Sequence, residues 1–299
     1  MTSVAVVAHQ DKMLGGGLSE LRQTLIASGV TDPQWFEVSK SAKAPKCVRK
    51  AVKLGADLVF VWGGDGMVQR CIDAVAGSSV VIAILPAGTA NLLATNLEIP
   101  KDLARAVAIG LNGSQRSLDV GVLNGERFAV MAGAGFDARI MGGVDSAAKQ
   151  RFGRLAYFGS GARAMKTGRC RMKIKVDGEL WFDGKASCVL FGNVGTVTGG
   201  LCIFPDARPD DGVLELGVVT AHRPLDWLRV LTRIVSHDPA KSPMVRLTHG
   251  RKFSVRLARS LPFELDGGAR TKTRKLRVRV QPGAVRVCVP QRVVDVDEP

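Results

Sequence analysis

Short, largely apolar runs alternate with segments of helical length through the first 118 residues, and that alternation restricts the fold more than any other feature of the chain. The runs are Val4 to Ala8, Trp35 to Val38, Asp57 to Trp62 and Val80 to Leu85. Leu18 to Ser28, Ala44 to Leu54 and Met67 to Ala76 lie between them, each long enough for a helix. Pro100 to Ile109 follows, with Pro100 at its start and Gly110 just past its end. A strand covered on both faces needs no polar side. A continuous apolar run followed by a helix is therefore the mark of a parallel sheet built from strand–helix–strand units.

Beyond Ser117 the pattern becomes β-rich. Asn124-Gly125 and Asp177-Gly178 each separate two apolar runs, the strongest local signal for a hairpin. RKLRVRV (274–280) alternates apolar with basic residues, as a strand with one wet face does. Helical insertions are expected around Asp137 to Lys166 and Pro224 to Ser236. These changes put a domain boundary near residue 118, giving an α/β domain over 1–118 and a β-rich domain over 119–283.

The formal net charge of +15 is unevenly placed. Residues 149–175 carry nine Lys/Arg and no acid, and residues 251–286 carry eleven against Glu264 and Asp266. Such a half should face something anionic. In 151–173 the basic residues mix with Phe152, Leu155, Tyr157, Phe158 and Met165. That mixture suits an interfacial segment on anionic lipid and equally an ordinary amphipathic helix. The basic strands lack interleaved aromatics, which makes a nucleic-acid partner unlikely.

The six cysteines are scattered without a CxxC pair and the four histidines show no ligand spacing. Reduced core thiols are expected, and a structural transition-metal site is not. The N-terminus has no basic stretch before its apolar run, and no apolar segment approaches the roughly 20 residues of a spanning helix. A cytoplasmic protein is expected.

Two glycine loops carry the chemistry. Gly63-Gly64-Asp65-Gly66 follows one apolar run directly, and Pro86-Ala87-Gly88-Thr89-Ala90-Asn91 follows the next. Ligands of parallel sheets bind beyond the carboxyl ends of the strands, where glycine lets consecutive N–H groups approach an anion at a helix start. Neither loop is a P-loop, and no G-x-G-x-x-G follows the first strand. Gly15-Gly16-Gly17 is a third loop of the same kind with a weaker claim.

In these two loops, in Gly199-Gly200 with PDARPDDGVLELGVV (205–219), and in Leu265-Asp266-Gly267, the chain resembles the catalytic domain of the diacylglycerol kinase and sphingosine kinase family, in particular the bacterial soluble lipid kinases. The match keeps order and spacing over nearly the whole length. The resemblance implies a Rossmann-like, NAD kinase- and diacylglycerol kinase-like α/β domain that binds nucleotide, with the strand in 284–299 returning to it. A C-terminal β-sandwich would handle the lipid, and ATP and Mg²⁺ would lie in the cleft. By the same resemblance Gly63, Gly64, Asp65, Gly66, Gly88, Thr89 and Asn91 hold the nucleotide, and Asp65 acts near the metal or the transferring phosphoryl group. Asp211 would ligate a structural cation, the other reading of its run being a polar turn capped by Gly212.

The pattern also departs from that family. Met67 stands where a threonine usually follows GGDG, and Ala8-His9-Gln10 replaces the usual Asn-Pro. Gly268 replaces the acid that resembles a general base. Asp266 is then the candidate catalytic carboxylate, or else only the former of an Asp-Gly turn. Three readings follow: an ATP-dependent kinase of diacylglycerol or a similar lipid, peripheral to the cytoplasmic face of an anionic membrane; an NAD kinase-like enzyme; or a catalytically impaired nucleotide- and membrane-binding protein. A homodimer is left open, although charged strands oppose simple edge-to-edge pairing.

Overall fold

The computed structural model describes residues 2–135, 168–197, 200–236 and 238–291. The expected helical insertion at 137–166, most of the basic segment 149–175, and Gly199 lie outside them. The chain divides into two compact units, the first running to Leu118 and resuming at Ala284, the second being Asp119–Gly283.

In the first unit β1 (Val4–His9), β2 (Gln34–Val38), β3 (Leu58–Gly63) and β4 (Val81–Pro86) are parallel in the order β2-β1-β3-β4. Every residue of β3 and β4 is buried, which is why those runs show no polar alternation. Three helices, α1 (Gly17–Ala27), α2 (Ala44–Lys53) and α3 (Asp65–Val75), connect the strands. After β4 come α4 (Leu92–Asn96) and α5 (Leu103–Asn112), and β5 (Ser114–Leu123) then carries the chain out of the unit.

The expected bounds of α5 need correcting. It starts at Leu103, not Pro100, because the Asp102 carboxylate accepts the Arg105 N–H at 2.8 Å and caps the helix there. Gly110 lies inside it, where any Cβ would overlap the Phe60 ring. The residue that looked like a terminator is a packing site that lets the helix lie against β3.

The second unit is a β-sandwich. Its strands are β6 (Glu126–Phe128), β7 (Met131–Ala134), β8 (Cys170–Val176), β9 (Glu179–Ala186), β10 (Cys188–Gly192), β11 (Thr196–Val197), β12 (Leu201–Cys202) and β13 (Leu214–Val219). The helix α6 (Pro224–Val235) precedes β14 (Val245–Gly250), β15 (Lys252–Leu265) and β16 (Gly268–Val289). Three Asp/Asn-Gly turns hold both central residues at positive φ: Asn124-Gly125, Asp177-Gly178 and Asp266-Gly267. β15 is 14 residues long, and its register shifts between Arg256 and Leu261. Its first half pairs with β8 and its last residues with β7, so one strand serves both layers. Between the layers Phe191 meets Phe253 at 5.4 Å between ring centroids, within a core that includes Met172, Ile174, Leu216, Val255 and Val278. Alternation along β8, β15 and β16 turns these residues inward and their basic neighbours outward.

β16 crosses the unit boundary after Gly283. Its end pairs in parallel with β4, Arg286 beside Val81 and Val287 beside Ile82, and the Ala284 carbonyl accepts the Gly77 N–H at 2.8 Å. All six cysteines are free thiols. Burial pushes the Cys188 thiol up to about 12 and Cys288 to about 11, so both stay protonated and unreactive.

Candidate active site

Parallel pairing sets Trp62 beside Leu85 and Gly63 beside Pro86, so both glycine loops leave the sheet at the same level. Glycine is needed where they meet. A Cβ on Gly88 would overlap the Gly64 Cα, and one on Gly64 would lie 3.2 Å from the Gly88 Cα. Gly64 is the N-cap of α3, whose first turn presents N–H groups that no helical carbonyl accepts. Beside Gly66 there is open space, with nothing within 4 Å of an added Cβ. Met67 is 1% exposed, and a Cβ on Gly63 would come within 2.8 Å of its sulfur. The thioether that replaces the family's hydroxyl is therefore a core side chain packed beneath the loop.

Asn91, expected from the sequence at the nucleotide, is bonded to its own loop. It adopts the left-handed conformation (φ 51°) and is 3% exposed. Its Oδ1 accepts the Gly88 N–H at 2.9 Å, while Nδ2 donates to the Pro86 carbonyl at 3.0 Å and the Gly88 carbonyl at 2.7 Å. With three bonds to its own loop, the amide shapes the Gly88 turn. Thr89 is exposed, and its carbonyl accepts a hydrogen bond from Lys101 Nζ at 3.2 Å. The sequence reading passed over this ammonium at the loop's rim, although Lys101 stands just ahead of α5.

Asp65 opens α3 and faces the start of α4, where its Oδ1 accepts the Leu93 N–H at 3.4 Å. Burial pushes its carboxyl above the ordinary range, and backbone N–H groups of Leu93, Leu92 and Asn91 oppose the shift. Among the described residues no Lys, Arg or His forms an ion pair with it. A desolvated carboxylate without a counter-cation fits Mg²⁺, which commonly takes one or two carboxylates and completes its shell with phosphate oxygens and water. Among the described residues no three His, Cys, Asp or Glu side chains converge on a metal position.

The third glycine loop has its own anion. The Gly16 N–H donates to the Glu20 carboxylate, and a Cβ on Gly15 would lie 2.5 Å from the same oxygen. The nest proposed at Gly15-Gly16-Gly17 is occupied from within the chain.

In the second unit Asp266 sits at the β15–β16 turn with φ 45°. Its carboxylate accepts three backbone N–H groups, from Ala129 (2.8 Å), Val130 (2.9 Å) and Met131 (2.9 Å), and its own N–H donates to the Met131 carbonyl at 2.8 Å. The carboxylate expected to be catalytic is thus engaged in fixing residues 129–131, which is more than a turn former does. At Gly268, where the resemblance puts an acid, an added Cβ would lie 2.8 Å from Arg270 Nη1. That guanidinium donates to the Gly268 carbonyl and pairs with Glu126 at 2.7 Å.

Asp211 accepts the Val213 N–H at 3.1 Å, the capping arrangement of a polar turn. The adjoining Gly212 N–H goes instead to Asp119, whose other oxygen accepts the Gly283 N–H at 2.8 Å. Asp119 is 3% exposed and was missed, although a lone acid inside the apolar run 118–123 was the available signal.

Residues 15–123 match the diacylglycerol kinase catalytic domain, and residues 130–289 match the YegS C-terminal NAD kinase beta sandwich-like domain. The chain is 30% identical over 250 residues to a probable lipid kinase YegS-like protein of Pseudomonas aeruginosa, covering 83% of this chain and 81% of that one. It is 27% identical over 228 residues to a diacylglycerol kinase of Bacillus subtilis, covering 75% of each. Among solved structures, a putative diacylglycerol kinase from Bacillus anthracis superposes with a TM-score of 0.79 at 20% identity, over 96% of this chain and 97% of that one.

Proposed function

The chain belongs to the family of the diacylglycerol kinase catalytic domain and is a lipid kinase, and on that premise we propose that it transfers the γ-phosphate of ATP to the hydroxyl of diacylglycerol or a similar membrane lipid. The observation that carries the reading is the pair of glycine loops in backbone contact at Gly64 and Gly88, with the partly buried carboxylate of Asp65 at their junction. Phosphoryl transfer depends mainly on positioning and charge neutralisation, and these are the parts the loops supply.

In this reading the first-turn N–H of α3 at Gly66 holds a phosphate oxygen, and Gly63 and Gly64 let the nucleotide approach the backbone. Thr89 and Lys101 add a hydroxyl and an ammonium at the rim. Asp65 would hold a Mg²⁺ ion, which when bound neutralises charge on the phosphates. Asn91 keeps the second loop in shape, and Asp266 acts as a positioning residue through residues 129–131. No side chain is assigned as general base. A loose transfer rests mainly on positioning and charge neutralisation, so it proceeds without the roughly 10² to 10⁴ in rate that a general base adds. Among the described residues no helix is long and apolar enough to cross a membrane, and peripheral contact with an anionic bilayer would give access to the lipid.

The test is incubation of the purified protein with labelled ATP, Mg²⁺ and a panel of lipids in mixed micelles, beside Asp65→Ala. Labelled diacylglycerol with the parent chain and none with the variant is the expected result. Phosphorylation of NAD without lipid would replace the reading with that of an NAD kinase. ATP binding without any transfer would leave a nucleotide- and membrane-binding protein.

A further inference from the structure

Within the second unit, β8, β15 and β16 turn one continuous basic face outward. Register fixes its rows. Lys173 lies opposite Arg256, which lies opposite Lys275; Lys175 and Arg277 flank Ser254; Lys252 lies opposite Arg279. All of these are exposed, while the residues between them on each strand face the core. Two acids border the face. Asp183, opposite Lys173, is paired with Arg171 at 3.0 Å, and Asp177 accepts the N–H groups of Arg251 and Lys252. At the β9 edge Leu180 lies opposite Lys175 and is 53% exposed. The Asn124-Gly125 turn forms the other border, where its hydrogen bonds to the backbone of Lys275 and Arg277 wall a groove of about 870 Å³.

Like charges directly opposite on a sheet destabilise it. A fold that sets three cations in one row and two in each of the next carries that cost unless an anionic surface relieves it. Strands about 4.8 Å apart with side chains about 7 Å apart along them spread these charges over a plane roughly 10 Å by 14 Å. No aromatic, Asn or Gln occupies the rows, so nothing there stacks on bases or reads their edges. A second copy of the face would meet it with the same sign. A cationic array that lines shallow grooves, with an apolar side chain at its edge, matches a layer of anionic headgroups.

We propose that this β8–β15–β16 face docks the protein on an anionic phospholipid bilayer, an inference that rests on the lipid-kinase reading for its biological sense but is testable without it. The test uses full-length protein and vesicles of phosphatidylcholine with and without phosphatidylglycerol, comparing the parent chain with a Lys175→Gln, Lys252→Gln, Arg277→Gln triple variant. None of the three residues belongs to the phosphate-binding loops. Expected results are parent binding to the anionic vesicles alone, weakening with salt, and about a hundredfold weaker binding by the variant, near fivefold per charge. At low salt the variant should melt at a temperature equal to or above the parent's, which separates lost docking from lost folding. A Lys175→Arg, Lys252→Arg, Arg277→Lys chain should bind like the parent.

Equal vesicle binding by the parent and the Gln variant overturns the proposal. So does charge-dependent binding to duplex DNA with none to vesicles. Activity on neutral mixed micelles should be the same in both chains. A protein that phosphorylates no lipid yet shows the charge-dependent vesicle binding would keep the docking face and lose only the kinase reading.

Discussion

Burial lifts the proton affinity of Asp65, and the sign of that shift predicts two opposite pH effects. Between the ordinary carboxyl pKa and the raised one, the folded chain binds more protons than the unfolded chain. Asp65 therefore contributes stability that is fully present below the unfolded value and is lost as pH rises through the folded one. Cation binding needs the ionised form, so Mg²⁺ affinity, and activity at limiting Mg²⁺, should fall on acidification. Asp65→Asn should lower turnover by at least a thousandfold, leave the melting temperature at neutral pH unchanged or higher, and flatten the acid side of the stability profile. Turnover and thermal melts over a pH series check all three. Asn91→Ala removes three hydrogen bonds of about 1 kcal/mol each, so a loss of about 3 kcal/mol and a KM for ATP raised about tenfold are expected from denaturant melts and kinetics. The sequence singled out Asn91 and Asp65 but not the hydrogen bonds they make. An amide in a loop reads as a ligand contact until the left-handed backbone turns it onto its own carbonyls. Glu20 was closer to legible, since it stands four residues beyond Gly16 in the first turn of α1.

The strand–loop–helix element follows from local sequence because each of its parts is local. Buried parallel strands write themselves as unbroken apolar runs, and glycine marks where the backbone leaves them. What local sequence does not contain is the contact between the loops, since Gly64 and Gly88 meet only once β3 and β4 are in register. The same holds for Gly110, whose reason is the Phe60 ring on another element. Gly88→Ala sets a Cβ against backbone that cannot rotate away, so it should weaken ATP binding at least tenfold and cost about 1–3 kcal/mol. Calorimetric titration with ATP and a thermal melt would show both. Gly66→Ala has open space and should melt within about 1 kcal/mol of the parent.

At the scale of the whole molecule the chain visits its first unit twice, and the second visit is short. Among the described residues Arg286 and Val287 pair with β4, and Val287 is fully buried beside Ile82. A chain ending at Gly283 should expose the β4 edge and its apolar side chains. It should be recovered mostly in aggregates, or, where soluble, bind no ATP; sedimentation and nucleotide titration decide this. The β16 crossing also sets an order of events during synthesis. The first unit is made first, but its sheet lacks a strand until residue 287 leaves the ribosome. At about 5–20 residues per second, that strand arrives roughly 8–34 seconds after Leu118. The inserted sandwich, Asp119–Gly283, is complete in sequence before the unit that precedes it. The glycine loops are thus assembled on a scaffold finished last, and a nascent chain stalled anywhere before its final strand carries the GGDG motif on a sheet whose β4 edge is still open.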